Sequence, residues 1–259
     1  MSSSGSFAAT TFCSALHHCE TAWLFTGSDF KTLIFPVMVF ATIVSPRPEP
    51  LALACTVCWL WFHLFQFNVS NQPYSPDEDI ADKPWPPLPS GRISFEDSRA
   101  LRWALLVFCL GLSSLFSLNV FITSGVFTAL MILHDDLRLG HHPIFRNLCN
   151  IAAYVTAGVG CSLILSGESS LDGTSIKAFS CSALVILLTI HAQDFADVNG
   201  DETLPIVAPE ESRIYELCAL PLLSFPLTSF WSLEPLQHFL CLYRFLGRTS
   251  LLSLSRRDS

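Results

Sequence analysis

Two groups of acidic and amide side chains stand at the ends of apolar runs in this 259-residue chain, and their types suit the binding of a hard cation. The first runs from Asn71 and Gln72 through Asp79 and Asp82 to Lys83 and Arg92; the second is Gln193-Asp194-Phe-Ala-Asp197-Val-Asn-Gly-Asp201. Asp194, Asp197 and Asp201 follow one another at intervals of three and four, so a helix continued through them carries all three on one face. That crowding repels itself unless a cation is present. Mg2+ takes octahedral oxygen ligands and keeps some of its waters. Asp79, Asp82, Asp194, Asp197 and Asp201, with the amide oxygens of Asn71 and Gln72, are ligands of that kind. Carboxylates are costly in or beside a bilayer, so two groups of them at membrane boundaries point to a multiply charged partner, a metal ion with a phosphate-bearing lipid.

The chemistry open to such a site is the departure of a diphosphate. Metal neutralises the leaving group, an allylic carbocation remains, and aromatic ring faces stabilise it. Phe, Trp and Tyr make up 12% of the chain, but pattern alone does not say which of them face a cavity. One acidic cluster at a helix end is ordinarily a solvated loop; a second on the same face favours a site. His63 and His191 lie in or at the end of apolar runs and read as hydrogen-bonded structural residues, and His141-His142 as a loop pair. Asn68-Val-Ser70 has the glycosylation pattern but adjoins the membrane on the side expected to be cytoplasmic, so it is discounted.

The elements that must position these residues are membrane helices. The chain is 51% hydrophobic and only 14% charged, against about 25% charged in an average soluble domain. Its net charge of -8 and lack of a basic face exclude nucleic acid as a partner. The ten cysteines lie mostly within apolar runs and read as free thiols, Cys55 and Cys58 included. Spans of about 20 apolar residues are expected over 23–44, interrupted by Asp29 and Lys31, and over 51–69, 103–118, 120–133, 148–165, 176–191, 214–231 and 236–245. Residues 105–133 hold no charge, and Ser117-Leu118-Asn119 is the turn that divides them. Lys and Arg concentrate in the even-numbered loops, which the positive-inside rule places in the cytoplasm together with both acidic groups. The expected organisation is a disordered tail over 1–21, a transmembrane domain over 22–246 and a polar tail over 247–259. It is an all-α, multi-pass integral membrane bundle of about seven to eight spans around a central cavity.

Asn71 to Asp79, followed by Asp82-Lys-Pro-Trp-Pro-Pro-Leu-Pro-Ser-Gly-Arg-Ile-Ser94, resembles the first motif of the UbiA superfamily of intramembrane prenyltransferases. Gln193 to Asp201 resembles the second, and Trp23-Leu-Phe-Thr-Gly-Ser-Asp-Phe-Lys-Thr-Leu33 is similar to the fungal branch, which includes terpene cyclases. The resemblance implies a helical bundle with a cavity open to lipid, and an isoprenyl diphosphate held through Mg2+ under the two loops. Asp79, Asp194 and Asp197 are then the catalytic residues, and Asn71, Gln72, Lys83 and Arg92 bind substrate. Ionisation of the C–O bond ends in transfer of the prenyl group to an aromatic or other small-molecule acceptor, or in cyclisation to a terpene. Gln72 and Ser75 stand where the family's aspartates usually do, Pro86 replaces an arginine, and Glu202-Thr-Leu-Pro205 follows Asp201 without the usual basic stretch. Members usually continue to about nine helices, so the alternative is a catalytically inactive or truncated relative.

Overall fold

The computed structural model describes residues 16–45, 49–74 and 87–190, and every regular element among them is helical. The chain divides into two compact units, Met1–Phe179 and Ser180–Ser259. Helix α1 covers residues 16–26 and is continued by a single 3-10 turn, Gly27–Phe30. Then come α2 (Ile34–Val44), α3 (Pro50–Asn71), α4 (Phe95–Ser114), α5 (Leu118–Asp135), α6 (Pro143–Ser166) and α7 (Gly173–Thr189). The later expected spans, over 214–231 and 236–245, lie outside the described residues.

Local chemistry sets most of these boundaries. Pro50 and Pro143 occupy first-turn positions of α3 and α6, where a missing N–H costs nothing. Ser94 caps α4 by accepting from the Asp97 N–H at 3.0 Å, and Glu96 and Asp97 complement the positive end of the helix dipole. Helix α4 therefore starts at Phe95, eight residues before the apolar run that marks it in the sequence. The uncharged stretch is divided as expected, with the break at Leu115–Ser117 and Ser117 accepting from the Val120 N–H at 3.2 Å. Gly167, at φ 66°, closes α6 in the left-handed conformation that glycine adopts without strain.

Among the described residues, Pro50–Asn71, Leu118–Asp135 and Ile144–Ser166 are long and apolar enough to cross a bilayer. The pair Leu16–Phe30 and Ile34–Val44, bent by 64°, makes a fourth crossing if it is one span. Helix α3 has 22 residues, about 33 Å of helix, close to the roughly 30 Å of a hydrocarbon core. Large apolar side chains remain exposed around the bundle, Phe35, Ile43, Leu51, Val107 and Leu118 among them, as a surface facing lipid requires.

Helix α3 packs on α4, α5 and α6, and α6 packs on α2, α3 and α5. Trp59 is fully buried at the centre, against Gly160 of α6, where a Cβ would run into the indole ring. Four residues on one face of α3, at 59, 63, 66 and 70, reach the neighbouring helices through side-chain hydrogen bonds. The Trp59 indole donates to Ser113 of α4 at 2.8 Å, and His63 Nε2 lies 2.7 Å from the Ser124 hydroxyl of α5. The Gln66 amide donates to Thr128 at 3.3 Å, and the Ser70 hydroxyl donates to Asp135.

Candidate functional site

The carboxyl ends of α3 and α5 and the amino-terminal turns of α4 come together at one end of the first unit. Ser70 joins α3 to Asp135, the last residue of α5. Arg102 of α4 holds Asp136 with both terminal nitrogens, Nη1 to Oδ1 at 3.0 Å and Nη2 to Oδ2, a fork geometry that fixes orientation as well as distance. Asp135 is buried, and its Oδ1 accepts from His134 Nδ1 at 2.8 Å. A carboxylate oxygen only accepts, so Nδ1 carries the proton and the lone pair of a neutral ring lies on Nε2. Gly140 lies against the ring: a Cβ there would be 2.7 Å from His134 Cε1 and 2.9 Å from Nε2. His134, Phe67, Phe127, Met131, Cys149 and Asn150 line a pocket between α3, α5 and α6.

Three of the residues expected to form the site are described. Asn71 ends α3 and is exposed; Gln72 begins the 3-10 turn Gln72–Tyr74, and its Oε1 accepts from the Leu88 N–H at 3.5 Å. The turn that follows closes through the Gly91 N–H to the Leu88 carbonyl at 3.0 Å, with Gly91 at φ 69°. Arg92 then reaches α1, donating from Nε to the Thr21 hydroxyl at 2.8 Å and from Nη2 to Glu20 at 2.6 Å. The structure therefore gathers Gln72 and Arg92 around one loop, and Arg92 is engaged by α1. Asp79, Asp82, Lys83, Asp194, Asp197 and Asp201 lie outside the described residues. Among the described residues no group of His, Cys, Asp and Glu suited to a metal ion converges.

The residues that sequence reasoning missed are Ser70, His134, Asp135, Asp136 and Arg102. The one available signal was His134-Asp135-Asp136 at the end of an uncharged run, a third acidic group in an even-numbered loop. The structural reading of His63 agrees with its geometry, since Nδ1 donates to the Trp59 carbonyl at 2.8 Å and Nε2 meets Ser124. Asn68 is buried, and its amide donates to the Phe25 carbonyl at 2.6 Å and to Asp29 at 2.7 Å, so the glycosylation pattern has no exposed acceptor. The seven described cysteines are all free thiols.

A bundle of apolar helices with polar residues collected at one end defines a multi-pass membrane protein. The model of the UbiA prenyltransferase family matches residues 33–258, and the chain belongs to that family. It is 28% identical over 206 residues to the fumagillin beta-trans-bergamotene synthase of Aspergillus fumigatus, covering 78% of this chain and 71% of that one. It is likewise 28% identical over 213 residues to somaliensene A/B synthase of Streptomyces somaliensis, covering 77% and 69%. The fold matches that of a UbiA homolog from Archaeoglobus fulgidus bound to DMAPP and Mg2+, with a TM-score of 0.60, 18% identity, and 91% and 83% of the two chains covered.

Proposed function

We propose that this protein is a Mg2+-dependent membrane enzyme that ionises an isoprenyl diphosphate and cyclises the prenyl cation to a terpene. Transfer of the cation to an aromatic or other small-molecule acceptor is the alternative fate. The observation that carries the reading is the presence of both aspartate motifs in a chain of this family. Cyclisation is favoured by the two synthases it resembles.

The donor set fits the metal: Asp79, Asp82, Asp194, Asp197 and Asp201 offer hard oxygens, as Mg2+ requires. When bound, the cation offsets the charge on the diphosphate and eases its departure. Asn71 and Gln72 orient the diphosphate from the end of α3, and Lys83 pairs with it through a charge-assisted bond. Arg92 reaches it by giving up Glu20, which is 64% exposed in a surface pair of little strength. A second reading, a lipid-binding member without turnover, draws on Gln72, which replaces a carboxylate and spends its carbonyl on the Leu88 N–H.

The test is to incubate membranes carrying the protein with labelled geranyl, farnesyl and geranylgeranyl diphosphate, and to measure diphosphate release and products. Release is expected from at least one of them, with EDTA, Asp194→Ala and Asp197→Ala each abolishing it at normal protein level. Release that persists in either variant or with EDTA removes the metal mechanism, and no release from the unaltered protein favours the second reading.

A further inference from the structure

We propose that Glu20 of α1 competes with the diphosphate for Arg92 and so sets how tightly the substrate is held. The inference rests on the function above, in which Arg92 contacts the diphosphate, and adds a residue from outside both aspartate motifs. The guanidinium meets α1 along one edge. Its Nε donates to the Thr21 hydroxyl at 2.8 Å, and its Nη2 donates to Glu20 Oε2 at 2.6 Å and to the His17 carbonyl at 3.2 Å, with His17 Nδ1 also 3.2 Å away. The Thr21 hydroxyl spends its own proton on the His17 carbonyl at 2.7 Å, so it turns a lone pair to Arg92. Two oxygens, one of them anionic, therefore lie against Nε and Nη2. A phosphate group offers an arginine fork the same pair of acceptors, and α1 stands in its place.

Arg92 can change partner without moving its loop. Its backbone N–H donates to the Pro87 carbonyl at 2.9 Å, and that of Ile93 donates to the same oxygen at 3.3 Å, around Gly91 at φ 69°. The turn is tied to the end of α3 through the Leu88 N–H and Gln72. The backbone is thus fixed beside a second residue assigned to the diphosphate, while the side chain is held back by a carboxylate that is largely exposed. An exposed ion pair is weak, and Glu20 carries one negative charge where a diphosphate carries several. The substrate displaces Glu20 when it binds, and the bond it breaks subtracts from its affinity.

The unaltered protein, Glu20→Ala, Arg92→Ala and the double variant would be titrated in detergent with inorganic diphosphate in the presence of Mg2+, with binding read by calorimetry, which needs no turnover. Glu20 is an exposed helix residue and alanine is the best helix former, so Glu20→Ala keeps the fold. Binding is expected to be about two- to fivefold tighter in Glu20→Ala, the factor that an exposed ion pair is worth. It is expected to be weaker in Arg92→Ala, and no tighter in the double variant than in Arg92→Ala. Unchanged or weaker binding by Glu20→Ala makes Glu20 a support for Arg92 and overturns the proposal. An equal gain in the Arg92→Ala background marks a general effect of charge and overturns it as well. Both of these outcomes leave the ionising function standing, whereas no binding by the unaltered protein overturns both.

Discussion

Helix α3 meets two of its partners in opposite ways. Toward α6 it presents Trp59 to the bare backbone of Gly160, and the seam is steric. Toward α5 it presents His63, Gln66 and Ser70 to Ser124, Thr128 and Asp135, and the seam is a row of hydrogen bonds. Lipid tails are as apolar as leucine, so burial of apolar side chains alone does not hold membrane helices together; close backbone approach and hydrogen bonds do. One helix uses both means. The steric seam serves stability alone, whereas the hydrogen-bonded seam runs into the polar end of the bundle and so couples stability to the site.

The largest effect is expected at the steric seam. Gly160→Leu places side-chain atoms where the indole already lies, and overpacking of this kind costs about 1–3 kcal/mol or more. Thermal unfolding in detergent is expected to show most of the protein unfolding well below the unaltered chain, and an unchanged midpoint would mean that Trp59 can move aside. Next comes His63→Phe, which keeps the tilted ring contact with Trp59, centroids 3.9 Å apart, but strands the buried Ser124 hydroxyl. Interhelical bonds in membranes average about 0.6 kcal/mol and reach about 1.7 kcal/mol, so a loss in that range is expected from chemical denaturation.

Gln66→Leu sharpens the contrast between rungs. Gln66 makes one long bond, and its buried Oε1 has no hydrogen-bond partner among the described residues. Removing a group that is half satisfied costs little or even stabilises, so a change within about 0.5 kcal/mol is expected. A loss as large as that of His63→Phe would show the row of bonds to be uniform.

The smallest effect lies outside the seams, where Asp172 caps α7 by accepting from the Ser175 N–H at 2.7 Å. Hydrogen bonds from the side chain and backbone of Ser175 lower its pKa. A depressed carboxylate stabilises the folded state above its unfolded pKa and loses that contribution as pH falls through the folded value. Asp172→Asn is therefore expected to lower stability slightly at neutral pH and to remove the acid limb of the profile, the difference between the two proteins closing as pH falls below the ordinary carboxylate range. A difference that persists at low pH would show that Asp172 does more than cap.

Much of this was legible in the sequence. The two aspartate motifs carry the family, Pro50 and Pro143 mark helix starts, and Ser117 marks the turn in an otherwise unbroken apolar stretch. The start of α4 was not, because Glu96, Asp97 and Arg102 read as loop when they are a capped first turn and half of a part-buried ion pair. Charge along a chain does not reveal that Arg102 will meet Asp136 across two helices. The Ser70 to Asp135 bond joins residues 65 apart in sequence, and only the packing of α3 on α5 brings them together. The same holds for the pocket: nothing distinguishes Phe67 and Phe127 from the other phenylalanines until α6 is laid against them.

The elbow between α1 and α2 bears on the order in which the protein is made. Asp29, at the bend, and the Phe25 carbonyl both depend on the amide of Asn68, 39 residues after Asp29. At roughly 5–20 residues per second, a ribosome delivers that partner about 2–8 s after Asp29 itself. Through that interval the bent segment holds a carboxylate without this donor, so the contact that ties the elbow to the bundle forms only after α3 has been made.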